Sequence, residues 1–249
     1  MNKRLKKQII YGTIIFLFFA VFTFLIYLKL KGPTVASCFD GKKNQDEEGI
    51  DCGGSCPPCE LKTLQPLKIY PTQFLVYENS MDIIGLIENP NSNLALKKLK
   101  YYFEIYDIDN VLRATTTIRE TNLEPEIKKY LLEIKQPKPE FIISGIKLKI
   151  LEPLAKDWLK KEKTKFSVSY YNEKLVQEDD KWKIKLTLFN QSYLTQNLEV
   201  IGLVYNKNNT LVGVGKTFVS LASQEVKEIY ISLPSLLTQP AGFEIYFQQ

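Results

Sequence analysis

"WKIKLTLFN", Trp182 to Asn190, decides how this chain folds. Trp182, Ile184, Leu186 and Leu188 fall on one side of an extended backbone, with Lys183, Lys185 and Thr187 on the other. Successive side chains on a strand point to opposite faces, so a period of two marks a strand with one face buried. "GIKLKI" (Gly145 to Ile150) repeats the pattern, setting Ile146, Leu148 and Ile150 against Lys147 and Lys149. The apolar faces predict sheets packed on sheets, with the polar faces in water.

The texture recurs along the chain. "GLIENPNS" around Asn89 matches "LTLFNQS" around Asn190, at an offset of 101. "FEIYDIDNVLRATTTI" from Phe103 matches "GLVYNKNNTLVGVGKTFV" from Gly202, with Tyr106 and Tyr205 99 apart. "SGIKLKI" (Ser144 to Ile150) matches "AGFEIYF" (Ala241 to Phe247) at an offset of 97. Three anchors in one order predict two homologous units of roughly 90 residues. About seven short strands are expected in each, which fits an immunoglobulin-like sandwich. "IDNV" (Ile108 to Val111) and "KNNT" (Lys207 to Thr210) read as hairpin turns, because Asn and Asp tolerate positive φ. Neither unit contains a cysteine, so burial alone must hold each core.

The boundaries follow: a first β-sandwich at 61–152, a linker at 153–163 and a second β-sandwich at 164–249. In "LEPLAKDWLKKEK" (Leu151 to Lys163), Pro153 opens a short helix carrying Trp158. Trp158 is expected to pack between the sandwiches and fix their angle. "GFEIYF" at the C-terminal end reads as an edge strand open to a partner strand.

"FEIYD" (Phe103 to Asp107) resembles the Phe-x-Leu-Tyr-Asp run that names a family of microbial extracytoplasmic sandwich domains, with Ile105 in place of Leu. The second copy, "GLVYN" (Gly202 to Asn206), keeps only the Tyr, so its membership follows from the internal repeat. The resemblance implies an all-β fold outside the cytoplasm and brings no catalytic residues with it.

Ahead of the strands, Ile9 to Leu28 ("IIYGTIIFLFFAVFTFLIYL") run for 20 residues without a charge, about the length that crosses a bilayer's hydrocarbon core. Lys3, Arg4, Lys6 and Lys7 precede the run, and only Lys29 and Lys31 follow it. The heavier basic flank stays in the cytoplasm. The reading is therefore a cytoplasmic tail at 1–8, a transmembrane signal anchor at 9–28, and a single-pass protein of the cell membrane with everything downstream extracytoplasmic. The apolar run is too long for a cleaved signal peptide, and no small-x-small site abuts it. "VASC" (Val35 to Cys38) resembles a lipoprotein box but stands well past the apolar run. The formal charge of +5 belongs to this anchor. Residues 1–31 hold six Lys or Arg and no acid, leaving 27 basic against 28 acidic residues beyond them. Nucleic acid is not an expected partner, for no local basic patch has interleaved aromatics.

All four cysteines, Cys38, Cys52, Cys56 and Cys59, lie in an acidic, Gly-Pro-rich knot at 32–60. In an oxidising space an even number of cysteines in a short loop-rich segment reads as disulfides, with three pairings open. A zinc ribbon would repeat the CxxC, which occurs once. "CPPC" (Cys56 to Cys59) has redox spacing, but Pro57 and Pro58 stand where a thiolate-activating helix would begin. Asp40, Asn44, Asp46, Glu47, Glu48 and Asp51 crowd oxygen donors among Gly41, Gly49, Gly53 and Gly54. Two readings stay open: Ca2+ held by Asp40, Asn44, Asp46, Glu48 and Asp51, or a solvated acidic loop. An EF-hand is excluded by Gln45 at its sixth position. "DGKKNQDEEGIDCGG" is similar to a motif of bacterial surface proteins, C-x-D-G-x-x-N-x-x-E-x-x-x-D-C-G-G-x-C-x-x-C. That likeness implies an extracytoplasmic disulfide module and no activity.

Chemistry is sparse. The chain has no histidine, which removes Ser-His-Asp and Cys-His nucleophiles and His-ligated metals. "VGVGK" (Val212 to Lys216) lacks phosphate-loop spacing and reads as a glycine-relaxed strand. The paired acids Asp179/Asp180 and Asp107/Asp109 sit on turns and read as solvated, not as a glycosidase pair. "NQS" at Asn190 and "NNT" at Asn208 match glycan acceptor triplets. The expected function is a non-catalytic, single-pass envelope protein presenting tandem sandwiches to an envelope protein or glycan. The alternatives are a thiol-redox or zinc device at the CxxC, and a calcium-stabilised adhesion stalk.

Overall fold

The computed structural model describes residues 3–30, 38–44, 46–163, 167–178, 181–233 and 236–248. The charge-free run becomes helix α1, Lys3–Leu30. Its stretch Lys7–Tyr27 is long and apolar enough to cross a membrane, and no part of it is buried against protein. Its threonine hydroxyls are satisfied within the helix: Thr13 Oγ1 donates to the Ile9 carbonyl and Thr23 Oγ1 to the Phe19 carbonyl at 2.9 Å. Such back-bonding removes the cost of an unpaired hydroxyl in hydrocarbon. The chain forms two compact units, Met1–Cys56 and Pro57–Gln249.

All strand pairing in the second unit is antiparallel. In the first sandwich, β1 (Lys68–Ile69) and β2 (Gln73–Val76) follow one another along one edge of β3 (Ser80–Asn89). β7 (Ile127–Pro137) takes the other edge of β3. The facing sheet centres on β4 (Leu94–Asp107). β5 (Leu112–Thr115) and β6 (Arg119–Leu123) share one edge of it, and β8 (Ile143–Ile150) and β9 (Trp158–Lys160) share the other. The second sandwich repeats the plan without the breaks. β10 (Val168–Glu178), β11 (Lys181–Asn190) and β14 (Val226–Ser232) form one sheet. β13 (Leu211–Leu221), β12 (Gln196–Tyr205) and β15 (Gly242–Gln248) form the other. Among the described residues each sandwich thus has six strand lines in the same order, where about seven strands were expected.

Alternation builds both cores. Met81, Ile83 and Ile87 of β3 meet Phe103, Ile105, Leu131 and Leu148. Ile184, Leu186 and Leu188, the apolar row of the opening stretch, meet Leu198, Val200, Val204 and Ile231. Fully burying one such side chain contributes roughly 1.5–3 kcal/mol, which is how cores without cysteine are held. The repeat is sharpest at a polar position. Asn89 is buried at the end of β3, where its Nδ2 donates to the carbonyls of Leu94 (2.7 Å) and Glu124 (3.1 Å). Asn190, equally buried at the end of β11, donates to Leu194 (2.8 Å), Leu221 (3.2 Å) and Ala222 (2.7 Å). The Oδ1 atoms accept the backbone N–H two residues on, at Asn91 and Ser192. Each corner ties carbonyls of two neighbouring segments to one buried carboxamide.

Three expectations need correcting. Trp158 does not sit between the sandwiches: it opens β9, pairs with Leu96 and is buried in the first core. The turn before it is a single 3-10 turn, Ala155–Asp157, with the Leu154 N–H donating to the Asp157 carboxylate at 3.0 Å. Residues 153–163 are consequently not a plain connector, since three of them extend the first sandwich's β4 sheet.

The third correction concerns the faces in water. The outer face of the β3 sheet, with Leu75, Ile84 and Leu132, packs on the outer face of the β12 sheet, with Ile201, Leu203, Leu211 and Val214. The four sheets therefore stack as layers, with the β4 and β11 sheets outermost. "IIGLI" (Ile83 to Ile87) and "VIGLVY" are unbroken apolar runs because both faces of β3 and β12 are covered.

Candidate functional site

The cysteine knot is a set of turns tied by sulfur. Cys38 is bonded to Cys56, Cys52 and Cys59 are disulfide-bonded as well, and no cysteine is free. "DCGG" is a steric requirement here. Asp51, Gly53 and Gly54 all have positive φ, at 55°, 84° and 59°. A Cβ on Gly53 would stand 2.5 Å from Glu48 Cβ, and one on Gly54 would stand 2.2 Å from the Asp46 carbonyl oxygen.

The acids of the knot face amides. Asp51 accepts the backbone N–H groups of Asp40 (2.9 Å) and Gly41 (2.9 and 3.0 Å). Asp40 accepts Lys42 N–H at 2.9 Å and the Asn44 carboxamide at 2.7 Å. Asp46 takes both the N–H and the hydroxyl of Ser55 at 2.9 Å, and that hydroxyl holds its carboxyl below the usual range. Glu48 is exposed, whereas Glu47, outside the calcium set, is buried and accepts Asn44 N–H at 3.1 Å. Among the described residues no three Asp, Glu or Cys gather closely enough to hold a metal ion. Gln45 and residues 35–37 of the lipoprotein-like box lie outside the described residues.

Three positions of the run that carries the family resemblance have a structural role. Phe103 and Ile105 fill the core, and Asp107 closes the hairpin between β4 and β5. Its Oδ1 accepts the N–H of Asp109 (3.0 Å) and Val111 (2.9 Å), its Oδ2 pairs with Arg113, and Asn110 takes φ of 58°. The Val111 amide, then the guanidinium, keep the Asp107 carboxyl below its ordinary value. Asn206 does the same between β12 and β13, accepting Asn208 N–H (2.9 Å) and Thr210 N–H (3.0 Å), with Asn209 at φ 57°. Asp107 is thus a turn cap, and it is buried at 5% exposure, not solvated as expected. Asp179 and Asp180 lie outside the described residues. Val212–Lys216 runs inside β13, where a Cβ on Gly215 would stand 2.4 Å from the Ser232 carbonyl.

A cleft of about 610 Å³ opens where the two sandwiches meet. On its first-sandwich wall Lys129 is buried, its Nζ donating to the Asn122 carbonyl (3.0 Å) and Oδ1 (2.6 Å). Burial pushes this amine down to about 8, against the opposing pull of Glu199 and Glu124. From the second sandwich, Glu199 pairs with Lys216 at 2.8 Å and accepts Gln248 Nε2 at 2.6 Å. Burial pushes the Tyr101 hydroxyl up to about 12, and Glu133 adds to the shift. Glu133 is itself clamped by Arg119 through two contacts, at 3.1 and 3.3 Å. Phe218 lies 74% exposed at the rim. The charged groups face one another, so the wall works as a polar seam of the stack.

Lys129, Glu133 and Gln248 carry no motif in the sequence, and Glu47 stands there among the knot's oxygen donors but outside the calcium set. For the first two a signal existed: Ile127, Lys129, Leu131 and Glu133 share one parity of β7, which puts charges in an apolar row. Gln248 gave none. Compared with known proteins, no family model and no curated protein matches this chain.

Proposed function

We propose that this chain is a single-pass membrane protein with its N-terminus in the cytoplasm and its sandwiches outside. There they form a rigid non-catalytic body that serves as a structural or binding element of the cell envelope. The observation that carries the reading is the complete oxidation of a cysteine knot directly downstream of an apolar, basic-flanked helix. Disulfides persist in oxidising compartments, and the heavier basic flank is the one that stays inside. The roles of Phe103, Ile105 and Asp107 support membership in the Phe-x-Leu-Tyr-Asp group of immunoglobulin-like sandwiches.

A thiol-redox device is less well supported, because Cys56 is bonded to Cys38 and not to its CxxC neighbour Cys59. A calcium-stabilised stalk is also less well supported, because Asp40, Asp46 and Asp51 of the proposed ligand set accept backbone amides. The partner is an envelope protein or glycan.

Protease treatment of intact cells expressing the chain tests the topology. Extracellular cleavage that leaves only an anchor fragment is expected. Protection of the sandwiches until the membrane is permeabilised would defeat the proposal.

A further inference from the structure

The sequence offers two glycan acceptor triplets, Asn190-Gln191-Ser192 and Asn208-Asn209-Thr210, and the fold treats them oppositely. N-glycosylation needs an asparagine carboxamide that can enter a transferase, with Ser or Thr two residues on, on an accessible loop. Asn190 is 0% exposed. Its Nδ2, the atom that would carry the sugar, already donates to three carbonyls, and Ser192 Oγ donates to its Oδ1 at 2.8 Å. A sugar on that nitrogen would break the corner that joins β11 to β12.

Asn208 is the reverse case. It lies at the apex of the β12–β13 hairpin, exposed together with Lys207, Asn209 and Thr210. The turn is held by Asn206, whose carboxamide accepts the backbone N–H of Asn208 and Thr210, and whose carbonyl accepts Asn209 N–H at 3.0 Å. The backbone of the triplet is therefore fixed without the Asn208 side chain. The matching hairpin of the first sandwich has Asp109, Asn110 and Val111 at these places and offers no acceptor.

We propose that Asn208 is the attachment site of an N-linked glycan and that Asn190 is unmodified in the folded protein. The assignment rests on the sandwiches standing outside the cytoplasm. The donor is an oligosaccharide linked through diphosphate to a membrane lipid. Asn208 Nδ2 attacks C1 of the reducing-end sugar, and the N–C bond forms as the C1–oxygen bond to diphosphate breaks. The lipid diphosphate leaves with the electron pair, and one amide proton passes to a base of the transferase. No oxidation or reduction is involved.

The test expresses the full chain, with Asn-Gly-Thr appended after Gln249, in a cell whose secretory pathway carries such a transferase. Glycans are released enzymatically in heavy-oxygen water, which marks each formerly occupied Asn as labelled Asp, and the protease-resistant pool is mapped. Label is expected at Asn208 and at the appended triplet, with none at Asn190. Asn208→Gln and Thr210→Ala, both at exposed positions, each lose one glycan's mass while keeping the appended one. A labelled appended triplet with bare Asn208 overturns the assignment with the topology intact, as does label at Asn190 in folded protein. Bare triplets throughout defeat the topology, and the assignment falls with it.

Discussion

Gln248 grips the backbone of Tyr130 from the other sandwich: its Oε1 accepts the Tyr130 N–H at 2.9 Å and its Nε2 donates to the Tyr130 carbonyl at 3.0 Å. A side-chain amide thereby supplies both halves of a strand-like pairing between sheets that share no ladder. The Tyr130 and Tyr246 rings close the same seam at 4.8 Å between centroids. Removing the amide would leave a partly buried N–H and C=O without partners, at about 1–3 kcal/mol for each unsatisfied group. Gln248→Ala should lower stability by that order in chemical denaturation, and Gln248→Glu, which loses the donor, by a comparable amount.

The apolar part of the seam gives a stronger prediction. Ile201 and Leu203 are buried on the outer side of β12, against Ile84 and Leu132. Leu203→Glu places a carboxylate there with no cation provided, and the two sandwiches should separate while each core persists. Small-angle scattering should show a larger radius of gyration, with strand content by circular dichroism largely kept. An unchanged radius would show that the stack does not depend on this face.

Volume is exchanged between the copies. Phe103 of the first core faces Gly85, where a Cβ would stand 2.9 Å from the Phe103 ring. In the second copy Gly202 takes the place of Phe103, and a Cβ there would stand 2.4 Å from Ile184 Cδ1. Overpacking costs about 1–3 kcal/mol. Gly202→Ala should destabilise by that order, and adding Ile184→Val should recover part of the loss, a coupling readable as a double-mutant cycle.

Lys129 sets a pH dependence. Its folded value of about 8 lies below the roughly 10.4 of an unfolded lysine. Between those values the unfolded chain binds more protons, so stability climbs as pH rises through the window. The full penalty, on the order of 3 kcal/mol by one pKa unit's worth of 1.36 kcal/mol, stands below pH 8. Lys129→Met should therefore flatten the stability curve between about pH 8 and 10.4, measured by denaturant midpoints. An identical slope in wild type and variant would remove Lys129 as the cause.

Reduction should separate the knot from the sandwiches energetically. Neither core cluster contains a cysteine. A reductant is expected to release all four thiols to alkylation and leave the β-sheet melting transition in place. A matching fall in that transition would show that the sulfur bridges also support the sandwiches.

Much of the fold was legible because the signals were local. Ile184, Leu186 and Leu188 show their buried row by alternation alone, and the repeat pairs Asn89 with Asn190, which the fold places at equivalent corners. The four-layer stack was written less openly. Ile201 and Leu203 fill the polar places of a half-buried strand with apolar residues, a pattern that a short buried helix segment shares. Trp158 was misplaced because an aromatic between two repeats resembles a hinge wedge, while its pairing with Leu96 depends on contacts distant in sequence. The acids of the knot looked like ligands by composition. Only the path of the backbone reveals that Asp51 and Asp46 point at amides.

The order of the layers also decides how far the architecture can propagate. The outermost sheets present Lys100, Lys147 and Lys149 on one side and Lys183, Lys185 and Glu228 on the other, with ion pairs such as Lys149–Glu104 (3.5 Å) and Lys185–Glu228 (2.8 Å). Covering such a face would strip water from charges without supplying an apolar match. Face-to-face growth is therefore self-limiting: molecules crowded on a surface can stand side by side, but their sheets have no complementary face on which to build a fibre.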